Sequence, residues 1–137
     1  MTYFAPMTHL LIVAHAPLAS ALAAVAAHVD AEAAAGLGVL DVAAHWPTET
    51  TDAALARLLP PGEPVLILAD VFGASPCNAA LRAAVLRPLG STQVVSGVNV
   101  AMVWKALTYQ RREPLAALAR RVVEGGQQSV MPLVVMA

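Results

Sequence analysis

Three observations predict an α/β fold: an open, mostly parallel sheet of four to five strands with helices on both faces. Short apolar runs alternate four times with segments of helical spacing, the pattern of β-α-β units that lay parallel strands side by side. Those runs lack the in-out alternation of a sheet with one wet face, so their strands are expected to be buried on both sides. The length, 137 residues, suits one domain with a single core. The domain is taken as 1–137, with 1–7 a loose leader in which Met7 is a second candidate start.

His9–Ala14 (HLLIVA) reads as the first strand, interrupted by His15-Ala16-Pro17. Pro17 suits a helix's first turn, where its missing N–H is not needed. Leu18, Leu22, Val25 and Val29 then recur at steps of four, three and four, which is helical. Val39–Ala43 is the second strand, and Thr50 or Thr51 is the expected cap of a helix carrying Leu55, Leu58 and Leu59. The turn Pro60-Pro61-Gly62-Glu63-Pro64 leads into Val65–Ala69 (VLILA), the third strand. After the loop Asp70–Ser75, a helix is expected over Pro76–Leu86, stopping before Pro88. Thr92–Val95 is a short strand with Ser96-Gly97-Val98-Asn99 as its exit loop. Helices are expected at Val100–Tyr109 and Leu115–Glu124, the latter stopped by Gly125-Gly126. Val130–Met136 reads as a last strand, and Pro132 confines it to an edge or a bulge.

Composition narrows the function classes. Hydrophobic residues make up 58% of the chain, charged ones 12%, and 30 residues are Ala, with mean hydropathy +0.67. These values raise a membrane question, but the longest apolar run, Ala21–Ala27, is far short of the ~18 residues a spanning helix needs. No Lys or Arg precedes Arg57, so a secretory signal's basic segment is missing. With Cys77 the only cysteine, there is no disulfide framework and no Cys-based zinc site, and a cytoplasmic protein is expected. The net charge of −1 gives no general attraction to nucleic acid. Residues 1–69 hold one basic and six acidic side chains and residues 70–137 seven and three, an asymmetry read as scattered, solvated charge.

In open parallel sheets, ligands bind beyond the carboxyl ends of the strands, near the point where strand order reverses. Three segments fall there: His15, Asp70–Asn78 and Ser96–Asn99. A neutral imidazole at His15 suits a nucleophile or a metal ligand, depending on what holds its other nitrogen. Position alone fits a loop histidine that only hydrogen-bonds equally well. Asp70 ends the third strand in the equivalent place, where a carboxylate can fix the imidazole tautomer and aim the other nitrogen. An Asp there also suits a turn cap or a phosphoacceptor.

Ser75 has the preference of a helix cap and Pro76 that of the first helical residue, so free N–H groups at this terminus would favour a phosphate. Gly73 would let the backbone approach closely. An ordinary capped helix needs the same residues. Cys77 is read as a small packed side chain, and His9, His28 and His45 as structural. There is no Gly-rich nucleotide loop, so neither ATP nor another cofactor is expected.

Val13-Ala14-His15, then Leu66-Ile67-Leu68-Ala69-Asp70-Val71-Phe72-Gly73-Ala74-Ser75-Pro76-Cys77-Asn78-Ala79-Ala80, then Ser96-Gly97-Val98-Asn99 resemble the enzyme IIA domain of the mannose/fructose-type sugar phosphotransferase system. The resemblance covers roughly residues 8–130, and its specific part is Asp-x-Phe-Gly-x-Ser-Pro-x-Asn. It implies that His15 accepts a phosphoryl group from the phosphorylated carrier HPr and that the chain either passes it to a IIB-type protein or acts as a phosphorylation-dependent regulator. Asp70 would orient and charge-stabilise the imidazole, while Gly73, Ala74, Ser75 and nearby backbone N–H groups would hold the phosphate. It also implies a homodimer in which the C-terminal strand, here Val130–Met136, is able to exchange between subunits. The membrane would be met only indirectly, through a permease. Two positions depart from the family pattern: Ala16-Pro17 follows the histidine in place of Gly, and Ala74 replaces the second Gly before Ser-Pro.

Three other readings compete. A phosphotransfer subunit of a dihydroxyacetone-kinase system would share the histidine chemistry and differ in its acceptor. A tetrapyrrole chelatase would also place a His after its first strand, but would need metal-facing His and Glu residues that Asp70–Asn78 does not supply. A regulatory binding module that transfers nothing would have little reason to keep His15, Asp70 and Ser75 together.

Overall fold

The computed structural model describes residues 7–136. The expected leader therefore lies outside the described residues apart from Met7, which is exposed. The strands are β1 (His9–His15), β2 (Gly38–Val42), β3 (Val65–Ala69) and β4 (Thr92–Val95). The helices are α1 (Leu18–Val29), α2 (Ala31–Ala34), α3 (Thr48–Leu58), α4 (Ser75–Val85), α5 (Val100–Tyr109) and α6 (Leu115–Gln128).

All four strands are parallel, in the order β2-β1-β3-β4. The chain steps from β1 outward to β2, then crosses back to lay β3 on the other side of β1. Strand order therefore reverses between β1 and β3, and both neighbours of that crevice are central strands.

The continuous apolar runs are explained by burial on both faces. Leu10, Ile12, Ala14, Leu66 and Leu68 point to one side, where Leu22 and Ala26 of α1, Val103 of α5 and Leu118 and Val122 of α6 close over them. Leu11, Val13, Val65 and Ile67 point to the other, against Leu55 of α3 and Ala79 and Ala80 of α4. Every residue of β3 is at most 1% exposed, and each large aliphatic side chain buried in this way stabilises the fold by about 1.5–3 kcal/mol.

Several boundaries differ from the sequence expectation. The helix after β2 begins at Thr48, because the Pro47 carbonyl accepts from the amides of Thr50 and Thr51; Thr51 is a buried helical residue rather than a cap. Asp30 ends α1 and caps the short α2, its Oδ1 accepting the Ala33 N–H at 3.0 Å. Gly125-Gly126 does not stop α6, which runs on to Gln128 with both glycines buried. A Cβ on Gly125 would stand 2.6 Å from Cγ of Lys105, and one on Gly126 would stand 2.6 Å from Cγ of Met102. The glycines therefore let α6 lie close against α5.

The expected fifth strand does not form. Val130–Met136 has no ladder partner among the described residues, and Val130, Leu133, Val134, Val135 and Met136 are 77–91% exposed. A strand requires a neighbouring edge to hydrogen-bond, and this segment leaves α6 without pairing to β4.

Charges from the two halves of the sequence engage each other. Arg82 forks onto Asp52, with Nη2 at 2.8 Å from Oδ1. Arg87 ties the α4–β4 connection to the approach to β3, donating to the carbonyls of Pro60 (2.9 Å) and Glu63 (2.6 Å) and to Thr92 Oγ1 (2.7 Å). His9 contacts the Glu63 carboxylate, Cys77 is buried, and His28 and His45 are exposed. Among the described residues no helix is long and apolar enough to cross a membrane.

Candidate active site

β1 and β3 pair in register with Val13 opposite Ala69, so their carboxyl ends deliver His15 and Asp70 to the same point in the crevice. Asp70 Oδ2 accepts from the His15 backbone N–H at 2.9 Å and from ring Nδ1 at 2.6 Å. The other carboxylate oxygen, Oδ1, accepts from the Val71 N–H at 2.8 Å. The carboxylate is almost fully enclosed, 7% exposed, whereas the imidazole is 49% exposed.

Burial by itself pushes the Asp70 carboxyl up. The two hydrogen bonds from His15, the one from Val71 and the attraction of the imidazole outweigh it, and together they hold the group below its ordinary value. An ionised carboxylate can only accept, so Nδ1 carries the shared proton. Nε2 is then the nitrogen with a free lone pair, on a ring that is half exposed.

The segment after Asp70 is a tight turn. The Ala74 N–H donates to the Val71 carbonyl at 3.2 Å, which puts Gly73 at the third position of the turn with φ +89°. That position requires a positive φ, and glycine adopts it without strain. No heavy atom lies within 4 Å of where its Cβ would be, so the backbone angle, rather than a close approach within the chain, calls for glycine here. Asn78 Nδ2 donates to the Gly73 carbonyl at 3.2 Å and braces the turn against α4.

Ala74, not Ser75, occupies the cap position of α4. Its carbonyl accepts the Asn78 N–H at 2.9 Å, so the helix begins one residue earlier than expected, with Ser75 first and Pro76 second. No side chain caps this terminus, so the Ser75 hydroxyl is not engaged there and the first-turn N–H groups of Ser75 and Cys77 have no capping oxygen. Ala74 has φ −90° and ψ 167°, which any residue adopts, so the missing second glycine changes nothing in the backbone. The Ala16–Pro17 peptide is cis, and the Ala16 N–H donates to the Val42 carbonyl at 3.0 Å.

The third segment, Ser96–Asn99, contributes through its backbone. Gly97 N–H donates to the Asp70 carbonyl at 2.5 Å and Val98 N–H to that of Ala69 at 2.9 Å, so the loop straps Asp70 from behind. Asn99 caps α5, its Oδ1 accepting the Met102 N–H at 3.0 Å. Motif position places these residues near the crevice, but the strap depends on a backbone geometry that no residue type announces.

An oriented imidazole with one nitrogen pinned and the other exposed, beside an uncapped helix N-terminus, can act as a nucleophile and receive an anion. Among the described residues no group of three or more His, Cys, Asp or Glu side chains is placed to hold a metal ion.

The chain resembles known proteins over nearly its whole length. The mannose/sorbose-specific IIA subunit of the phosphotransferase system from Enterococcus faecalis is 28% identical, superposes with a TM-score of 0.88, and is matched over 96% of this chain and 98% of its own. The phosphotransferase component EIIA from Streptococcus agalactiae is 20% identical with a TM-score of 0.84, over 92% of this chain and 97% of its own. The IIA protein associated with the fucose utilization operon of Streptococcus pneumoniae, at 19% identity and TM-score 0.75 over 95% and 96% of the two chains, shares the fold. No curated protein sequence matches significantly. The model of the family described as "PTS system fructose IIA component" matches residues 9–123, which include both central strands and all three loop segments of the crevice. The chain therefore belongs to the mannose/fructose-type IIA family and is a phosphotransfer component of the sugar phosphotransferase system.

Proposed function

We propose that the chain is a phosphohistidine carrier, taking a phosphoryl group from phosphorylated HPr onto Nε2 of His15 and handing it to a IIB-type protein. The observation that carries this reading is the 2.6 Å contact from Nδ1 of a half-exposed imidazole to a buried carboxylate. In the step, the Nε2 lone pair attacks the donor's phosphorus, a new N–P bond forms, and the donor's N–P bond breaks with its electron pair returning to the donor ring. The Nδ1 proton stays in the hydrogen bond to Asp70, whose charge meets the positive charge that the ring gains. The arriving phosphoryl oxygens would be held by the Gly73 N–H and by the N–H and hydroxyl of Ser75, where the α4 dipole favours an anion. Ala74, the third expected phosphate contact, already gives its N–H to the Val71 carbonyl. A phosphoramidate has enough transfer potential to move on without a nucleotide at this step, so positioning and charge are the protein's contribution.

The test is incubation with enzyme I, HPr and phosphoenolpyruvate, followed by a search for an acid-labile adduct. One phosphoryl group per chain, absent from His15→Ala, is the expected result. An unlabelled wild type, or equal labelling of His15→Ala, overturns the reading.

A homodimer with exchanged C-terminal segments is part of the same proposal. It is supported by the exposed apolar tail Val130–Met136 together with the unpaired edge of β4. A cleft of about 520 Å³ lies beside that edge, lined by Val94, Ser96, Met102, Val123 and Val130 among others. A tail from a second copy would cover apolar surface on both chains and give β4 a hydrogen-bonding neighbour.

A further inference from the structure

The turn after β3 presents two large apolar side chains to solvent, Val71 at 60% and Phe72 at 77% exposed. They follow directly on Asp70, the residue that holds His15. Leu18, three residues beyond His15 at the start of α1, adds a third at 38%. A slack loop does not account for this exposure. The turn is fixed at both ends: Val71 N–H donates to Asp70, Ala74 N–H to Val71, and the Asn78 side chain to Gly73. A rigid turn that holds an aromatic ring out of the core beside a reactive group is built to meet another surface.

Phosphoryl transfer between two protein histidines determines what kind of surface that is. Nε2 of His15 can reach a phosphorus carried on another protein only when that protein lies against the residues around the imidazole. Even a transient encounter covers up to about 600 Å² on each partner. The charge of this end of the sheet narrows the partner further. The loops at the carboxyl ends of the strands, 15–17, 43–47, 70–74 and 96–99, contain no Lys or Arg. Asp41 near the end of β2 and Glu49 in the first turn of α3 are acidic. An apolar contact with a basic rim fits this face, and an acidic rim does not.

We propose that Phe72, with Val71 beside it, is the docking anchor for a phosphohistidine-bearing carrier protein whose apolar face is rimmed by basic residues. The inference rests on the phosphocarrier reading of His15 and adds the surface by which the donor is recognised. Phe72 touches neither the phosphoryl group nor the imidazole in this account. It raises the time the donor spends in register with Nε2, and so acts on encounter rather than on bond making.

The test compares two donors, phosphorylated HPr and the small molecule phosphoramidate, on the wild-type chain, Phe72→Ala and Phe72→Leu. The expected result is a KM for phosphorylated HPr raised about tenfold or more in Phe72→Ala, with kcat nearly unchanged and Phe72→Leu in between. Labelling by phosphoramidate should change little, because that donor needs no docking surface. An unchanged KM for phosphorylated HPr in Phe72→Ala overturns the proposal. An equal loss with both donors also overturns it, since Phe72 would then act on the geometry of His15. A Phe72→Ala chain that sediments as a smaller species than wild type overturns it as well, by showing that a second copy covers the ring. Failure of the wild type with both donors refutes the phosphocarrier reading itself, and failure with HPr alone refutes the docking partner.

Discussion

Oδ2 of Asp70 accepts twice from His15, at 2.9 Å from the backbone N–H and at 2.6 Å from Nδ1. One oxygen therefore fixes both where the histidine's main chain stands and how its ring is turned. The ring cannot rotate out of this orientation without giving up a charge-assisted bond.

Asp70→Ala is expected to slow phosphoryl transfer about 10²-fold or more, with the domain still folded. Single-turnover labelling by phosphorylated HPr measures the rate, and far-ultraviolet circular dichroism with a thermal midpoint checks the fold. An unchanged rate would show that the carboxylate does not support the imidazole in the reaction.

The same carboxylate predicts an acid-sensitive share of stability. Its folded value is held below the ordinary 3.8. The carboxylate's contribution is therefore complete above that value and is lost as pH falls through the lower folded one. Wild type should be more stable than Asp70→Asn at pH 6, and the gap should narrow as the pH is taken below about 4. Urea midpoints of the two proteins across pH 2.5–7 would check this; a constant gap would count against the hydrogen-bonded, ionised carboxylate.

The paired glycines of α6 should respond unequally to alanine. On Gly126 the new methyl would meet the Met102 side chain, with Cγ at 2.6 Å and Sδ at 2.7 Å. Gly126→Ala is expected to cost about 1–3 kcal/mol despite alanine's better helix propensity. On Gly125 the neighbour is the flexible Lys105 arm, which can swing toward water, so Gly125→Ala should stay within about 1 kcal/mol of wild type. Denaturant titration of both variants checks the order.

A chain ending at Ser129 lacks the exposed apolar tail. Sedimentation equilibrium should find it monomeric at concentrations where the full chain is dimeric, with His15 still labelled by phosphoramidate. A full chain that is monomeric, or a truncated chain that remains dimeric, would show that Val130–Met136 does not join two copies.

The central strands were legible because their signal is local and strong. Val65–Ala69 is an unbroken apolar run, and its boundaries stand as expected. So do those of Thr92–Val95 and Val100–Tyr109. The meeting of His15 with Asp70 was legible as well, because both sit at the ends of strands that an alternating pattern places side by side. What failed depended on contacts between distant segments. Gly125-Gly126 looks like a helix stop along the chain and becomes a packing surface only once α5 lies against it. Val130–Met136 has the composition of a strand but does not reach the free edge of β4 within its own chain. Ser75 was displaced from the cap by one residue, since Ala74 offers a carbonyl where composition favoured a side-chain oxygen.

His15 and Asp70 are 55 positions apart in the chain, with α1, α2, β2 and α3 between them. The pair exists only after the whole crossover has closed and β3 has docked beside β1, a contact with a high loop-closure cost. A chain still emerging from the ribosome, or one locally unfolded at β3, has a histidine without its carboxylate. Under the proposed function, acceptance of a phosphoryl group would be tied to completion of the fold, and the rate of labelling during refolding would serve as a clock for assembly of the two central strands.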